Sequence, residues 1–149
     1  MVARFVSGPI DVAKREPGAE LARADLVFYG IDHSGPSFEG RVFINAPKAD
    51  ADTPRDDPHY AGSFHIFGHG GCFGDTGHCE VRAEPADAFD LRPPHQLVPA
   101  TRSVIVTEAL KLLVGADDEQ LTVTVVAVVP GADKHDVLQF ETLRLLTYQ

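Results

Sequence analysis

Residues 121–129 read LTVTVVAVV and stop at Pro130-Gly131. The stretch is apolar, rich in β-branched side chains and closed by a turn dipeptide, which makes it the strongest strand signal in the chain. Its continuous apolar character suits a strand covered on both faces, and it is far too short to span a bilayer as a helix. Whatever fold the chain adopts has to bury this strand.

Other short runs with turn signals between them supply its neighbours. Residues 24–30 (ADLVFYG) and 40–45 (GRVFIN) read as strands, with a turn at 33–36 (HSGP) between them. Residues 60–67 alternate around aromatic side chains, and a short strand is expected at 78–82. Residues 103–107 are β-branched; Thr107 is placed to cap a short helix over 108–114, with Glu108 in its first turn and Gly115 as its stop. A final strand is expected over 137–148, with Leu138, Phe140, Leu146 and Tyr148 on one face. Residues 48–58 read as a solvated acidic loop, 84–99 as an extended proline-rich connector, and 1–23 carry only a weak signal. About seven short strands and one helix predict an all-β fold: an antiparallel, jelly-roll-like β-sandwich forming one domain over 1–149.

Charge narrows the function classes. The formal net charge is −9, with no run of Lys or Arg, so nucleic acid and anionic membrane surfaces are not expected partners. The first residues, MVARFVSGPI, lack the apolar core and small-residue cleavage site of a secretion signal, which makes the cytoplasm the default expectation.

Chemistry concentrates in one loop. Three of the seven histidines, both cysteines and five glycines fall within residues 65–79. Imidazole and thiolate bind borderline and soft metals, and glycine permits the tight turns that bring such ligands together. Three or four of His65, His69, Cys72, His78 and Cys79 would make a copper or zinc site. Alternation puts His65 on a face with Ser63 and Phe67, opposite Phe64 and Ile66, so His69 converges with it only if the chain turns at Gly68. Six residues separate Cys72 from Cys79, which matches no standard zinc module. The same loop reads equally as a structural turn pinned by a Cys72–Cys79 disulfide, which in the chain-entropy account would contribute about 2.5 kcal/mol. A catalytic cysteine beside a histidine is a third reading, with Asp75 as the orienting acid in reach along the sequence. The remaining histidines read as structural or solvated: His33 in a turn, His59, His95 and His135 exposed. Asp50, Asp52, Asp56 and Asp57 lack the glycine spacing of a calcium loop.

The order of these segments resembles the C-terminal β-sandwich domain of tyrosinases, plant polyphenol oxidases and molluscan haemocyanins. The resemblance rests on 24–30 followed by 40–45, then 60–64 (YAGSF), then the unit from 104–113 (VIVTEALKLL) to 121–130, and covers roughly 20–148. It implies a module that packs over a type 3 copper centre, with Phe67 or Phe73 as a side chain plugging the substrate entrance. It does not bring the dicopper site, because the histidine-bearing helical bundle of that family has no counterpart here. The resulting expectation is a non-catalytic accessory or metal-binding module, partnered by a tyrosinase-like catalytic domain or by itself. The alternatives are a small mononuclear metalloenzyme built on the 65–79 loop, or a structural, self-assembling module with a Cys72–Cys79 bridge.

Overall fold

The computed structural model describes residues 1–12, 21–70, 89, 98–115 and 118–148. In chain order the elements are β1 (Arg4–Val6), β2 (Ile10–Asp11), β3 (Arg23–Ile31), β4 (Phe38–Ile44), β5 (Tyr60–Ile66), β6 (Ala100–Ile105), α1 (Thr107–Leu113), β7 (Gln120–Leu121), β8 (Val123–Val128) and β9 (Thr142–Tyr148). One sheet runs β1-β8-β4-β5, a second runs β6-β3-β9, and β2 pairs with β7. Every pairing is antiparallel. The all-β sandwich is thus as expected, with two short N-terminal strands that the sequence signals too weakly to reveal. The strand expected at 78–82 and most of the 84–99 connector lie outside the described residues.

The two main sheets bury their facing sides against each other. Leu26 and Phe28 of β3 meet Val42 and Ile44 of β4, Phe64 and Ile66 of β5, and Val123, Val125 and Ala127 of β8 in one core cluster. The Phe28 ring meets Phe64 at a tilt of 40° and 4.8 Å, and Phe140 edge-on at 5.5 Å, between ring centroids. Gly40 is required here: a Cβ on it would run into the Phe64 ring. Helix α1 closes one side by sending Leu110 into the core, while Val106 and Val114 at its ends are buried with it.

Several local expectations are corrected. The 121–129 run is split at Thr122, whose backbone is held by Asn45 through its amide at 2.8 Å and its Oδ1 at 2.9 Å, so that β7 and β8 join different sheets. Thr107 does not cap α1; Val106 occupies that position, and the Thr107 hydroxyl accepts a hydrogen bond from the buried Ala24 amide at 3.0 Å. A tertiary donor has outcompeted the local one. The last strand starts only at Thr142, because the chain bends at 139–141, and the parity of the inward face changes across that bend. Leu138 and Phe140 pack on the core before the bend, and Leu143 and Leu145 after it, leaving Tyr148 48% exposed.

The acidic 48–58 loop is not simply solvated. It folds over the outer face of the first sheet, where Ala49 packs with Phe43 and Val126, and Arg41 donates to the Ala51 and Thr53 carbonyls at 3.2 and 3.3 Å. Asp50 organises its turn by accepting from the Asp52 and Thr53 amides and the Thr53 hydroxyl. Beneath the loop, buried Glu39 faces Arg41 at 3.2 Å and Arg55 at 2.7 Å. The Arg55 contact is an ion pair without hydrogen-bond alignment at Oε1. Burial pushes the Glu39 carboxyl up, but pairing with Arg55 and Arg41 outweighs it and holds the group below its ordinary value.

Candidate functional site

Strand β5 delivers the described part of the histidine loop. Its alternation is as the sequence predicts: Phe64 and Ile66 are buried, while His65 and Phe67 face outward. His65 lies across from Glu39 in the β4 pairing, and its carbonyl accepts from Arg102 Nε at 3.2 Å. Phe67 is 79% exposed, a large apolar side chain standing off the end of the strand.

Beyond Phe67 the chain leaves the sheet and runs along the turn between β3 and β4. The Gly68 amide donates to Ser37 Oγ at 3.0 Å, His69 N–H to the His33 carbonyl at 2.9 Å, and Gly70 N–H to the Gly35 carbonyl at 2.6 Å. A Cβ at Gly68 or Gly70 would collide with the backbone of Gly35 and Pro36. Glycine at these two positions is therefore what permits so close an approach of two loops.

That approach puts two imidazoles together. His33 Nδ1 lies 3.1 Å from His69 Nδ1, with the rings edge-to-face at 4.9 Å. His33 Nε2 is 2.8 Å from the Val98 carbonyl. A carbonyl only accepts, so His33 Nε2 carries hydrogen and, in the neutral ring, its Nδ1 offers a lone pair. His69 Nδ1–H then donates to it. Three segments remote in sequence, around residues 33, 69 and 98, are tied by one pair of rings.

Next to His33 opens a cleft of about 220 Å³ lined by Gly30, Asp32, His33, Pro99, Gln139, Phe140 and Glu141. The Ser34 side chain and amide hold the Asp32 carboxyl below the ordinary aspartate range. Gly30 has φ of 69°, and a Cβ there would strike the Glu141 side chain that walls the cleft.

Of the five expected ligands, only His65 and His69 are among the described residues; Cys72, His78 and Cys79 lie outside them, as do Phe73, Asp75 and His95. His69 turns to His33, a residue that the sequence reading placed in a turn without a bonding role. Among the described residues no three His, Cys, Asp or Glu side chains converge as a metal-binding group. Two other histidines expected to be solvated are held by the fold. His59 Nδ1 bonds the Ile44 carbonyl at 2.9 Å, and His135 Nδ1 accepts from the Val129 amide at 2.9 Å. The only sequence clue to the His33–His69 pair is glycine: Gly35, Gly68 and Gly70 sit beside both histidines.

No protein-family model matches the chain, and no curated protein sequence matches it. Solved structures do. A recombinantly expressed latent aurone synthase (polyphenol oxidase) superimposes with a TM-score of 0.58 at 19% identity, over 97% of this chain and 24% of that one. Latent aurone synthase from its natural source gives 0.55 at 20% identity, over 97% and 23%. This chain thus spans about a quarter of the length of the enzymes it matches. No described helix is long and apolar enough to cross a membrane. At this identity the likeness is one of fold, and the family resemblance read from the sequence is borne out at that level: the chain has the β-sandwich architecture found within latent polyphenol oxidases.

Proposed function

We propose that this sandwich is a non-catalytic accessory module that covers the substrate entrance of a polyphenol-oxidase-type catalytic unit. The observation that carries this reading is the match of almost the whole chain to one quarter of enzymes described as latent. Phe67 is the side chain that inserts. It stands 79% exposed at the end of a rigid strand whose neighbours Phe64 and Ile66 are locked in the core. An apolar ring on a firm base loses little further freedom when it enters an aromatic-binding cleft.

The test adds the chain in trans, or fused, to a polyphenol oxidase catalytic core that lacks the matching quarter, and follows catechol oxidation. Inhibition relieved at least tenfold by Phe67→Ala supports the reading. Unchanged turnover with no detectable association overturns it. Elution at a multiple of the monomer mass without any partner would favour self-association, for which Ile105 and Leu112, 61% and 84% exposed, supply apolar surface.

A further inference from the structure

We infer that His33 and His69 form a two-imidazole site for a divalent copper or zinc ion, bound through both Nδ1 atoms. The inference is independent of the covering role proposed above. It gives His69, one of the ligands expected in the 65–79 loop, a partner from the adjoining turn between β3 and β4.

Distance is the first argument. Metal–imidazole bonds of about 2.0–2.1 Å place two adjacent ligand nitrogens roughly 2.9–3.4 Å apart, from square-planar to tetrahedral angles. The observed Nδ1···Nδ1 separation is 3.1 Å. An ion bound to both nitrogens takes the place of the shared hydrogen once each ring tilts to turn its lone pair off the line between them.

The second argument is the other nitrogen of His33. Ligating histidines characteristically donate their free N–H to a carbonyl or carboxylate, which fixes the tautomer and raises ligand basicity. His33 Nε2 does this to Val98 at 2.8 Å, so its Nδ1 lone pair is already formed before any ion arrives. His69 needs one change. Its hydrogen moves from Nδ1 to Nε2 through solvent, which leaves the ring neutral and frees the Nδ1 lone pair.

The third argument is rigidity. The His69 and Gly70 amides are bonded to the His33 and Gly35 carbonyls, and glycine at 68 and 70 lets the two backbones touch. The rings are therefore held by main chain and not only by each other. No third such side chain joins them among the described residues, and the assignment names these two imidazoles.

The experiment uses the whole chain, stripped of metal and titrated with zinc, with imidazole nitrogens followed by long-range proton–nitrogen NMR. The expected result is one equivalent bound, with the Nδ1 signals of His33 and His69 both moving to the metal-bound range and both Nε2 retaining hydrogen. His33→Ala and His69→Ala should each weaken zinc by roughly tenfold or more, whereas His65→Ala should leave it within about twofold. Thermal melts show whether each variant is folded, and if one is not, the wild-type spectrum decides. Absence of zinc uptake, uptake indifferent to both substitutions, or shifts confined to other histidines would each overturn the assignment.

Discussion

The interior of the sandwich and its histidine end are built by different rules. Inside, each residue is placed by its own strand: the alternation of Phe64 and Ile66 against His65 and Phe67 follows from the pleat alone. At the histidine end, placement depends on which remote loops touch. His33 and His69 are 36 residues apart and meet only because the turn after β3 and the exit from β5 lie side by side. The interior should therefore fail by loss of packing, and the end by loss of a few bonds, with effects of different size.

The largest effect belongs to the interior. Phe28 is fully buried and touches the Phe64 and Phe140 rings, one on the facing sheet and one from the bend before β9. Phe28→Ala should cost about 3–5 kcal/mol, read as a lower urea midpoint at an unchanged slope. A loss under ~1 kcal/mol would mean that the two sheets are not clamped there.

This contrast explains what the sequence could show. The strands containing 24–30, 40–45, 60–66 and 123–128 were legible because their signal is local. The inward face of β9 was not, since the bend at 139–141 shifts parity and alternation cannot be carried across it. Thr107 was legible as a residue wanting a hydrogen bond but not as to which one, since its partner is the Ala24 amide 83 residues away. His33 gave the same difficulty. Its turn was visible in Ser34-Gly-Pro36, while its ring partners on residues 69 and 98 were not.

Thr107 sharpens the comparison, because it is a polar group working inside the apolar region. Thr107→Val keeps the shape and removes the acceptor, leaving the Ala24 amide buried and unpaired. The expected loss is about 1–3 kcal/mol, largely restored by Thr107→Ser. If serine and valine were equally damaging, the hydroxyl would have no part in tethering α1 to β3.

Glu39 tests the outer face, where packing and charge act together. Its folded-state carboxyl is held below the ordinary value, so its contribution is present above the unfolded glutamate value near 4.3 and is lost as pH falls through the lower folded value. Glu39→Gln should cost about 1–2 kcal/mol at neutral pH, and the gap from wild type should close on acidification. A gap that stayed constant down to strongly acidic pH would assign the loss to packing under the 48–58 loop and not to the pairs with Arg41 and Arg55.

The smallest effect is the coupling at the histidine end. Without metal, the two rings share one hydrogen bond in a partly exposed setting, so either alanine substitution should cost about 1 kcal/mol or less. What distinguishes the pair is non-additivity. In a double-mutant cycle, His33→Ala with His69→Ala should cost less than the two single losses combined, by about 0.5–1 kcal/mol. Additive losses would mean that each ring acts through its own backbone contacts: His33 through Val98, His69 through the stitched amides. A coupling present without metal and enlarged by zinc would show that one contact serves both as a loop clasp and as a metal seat. That result would separate this end of the molecule from the interior by kind and not only by size, because no core contact can be strengthened by an added ligand without first being opened.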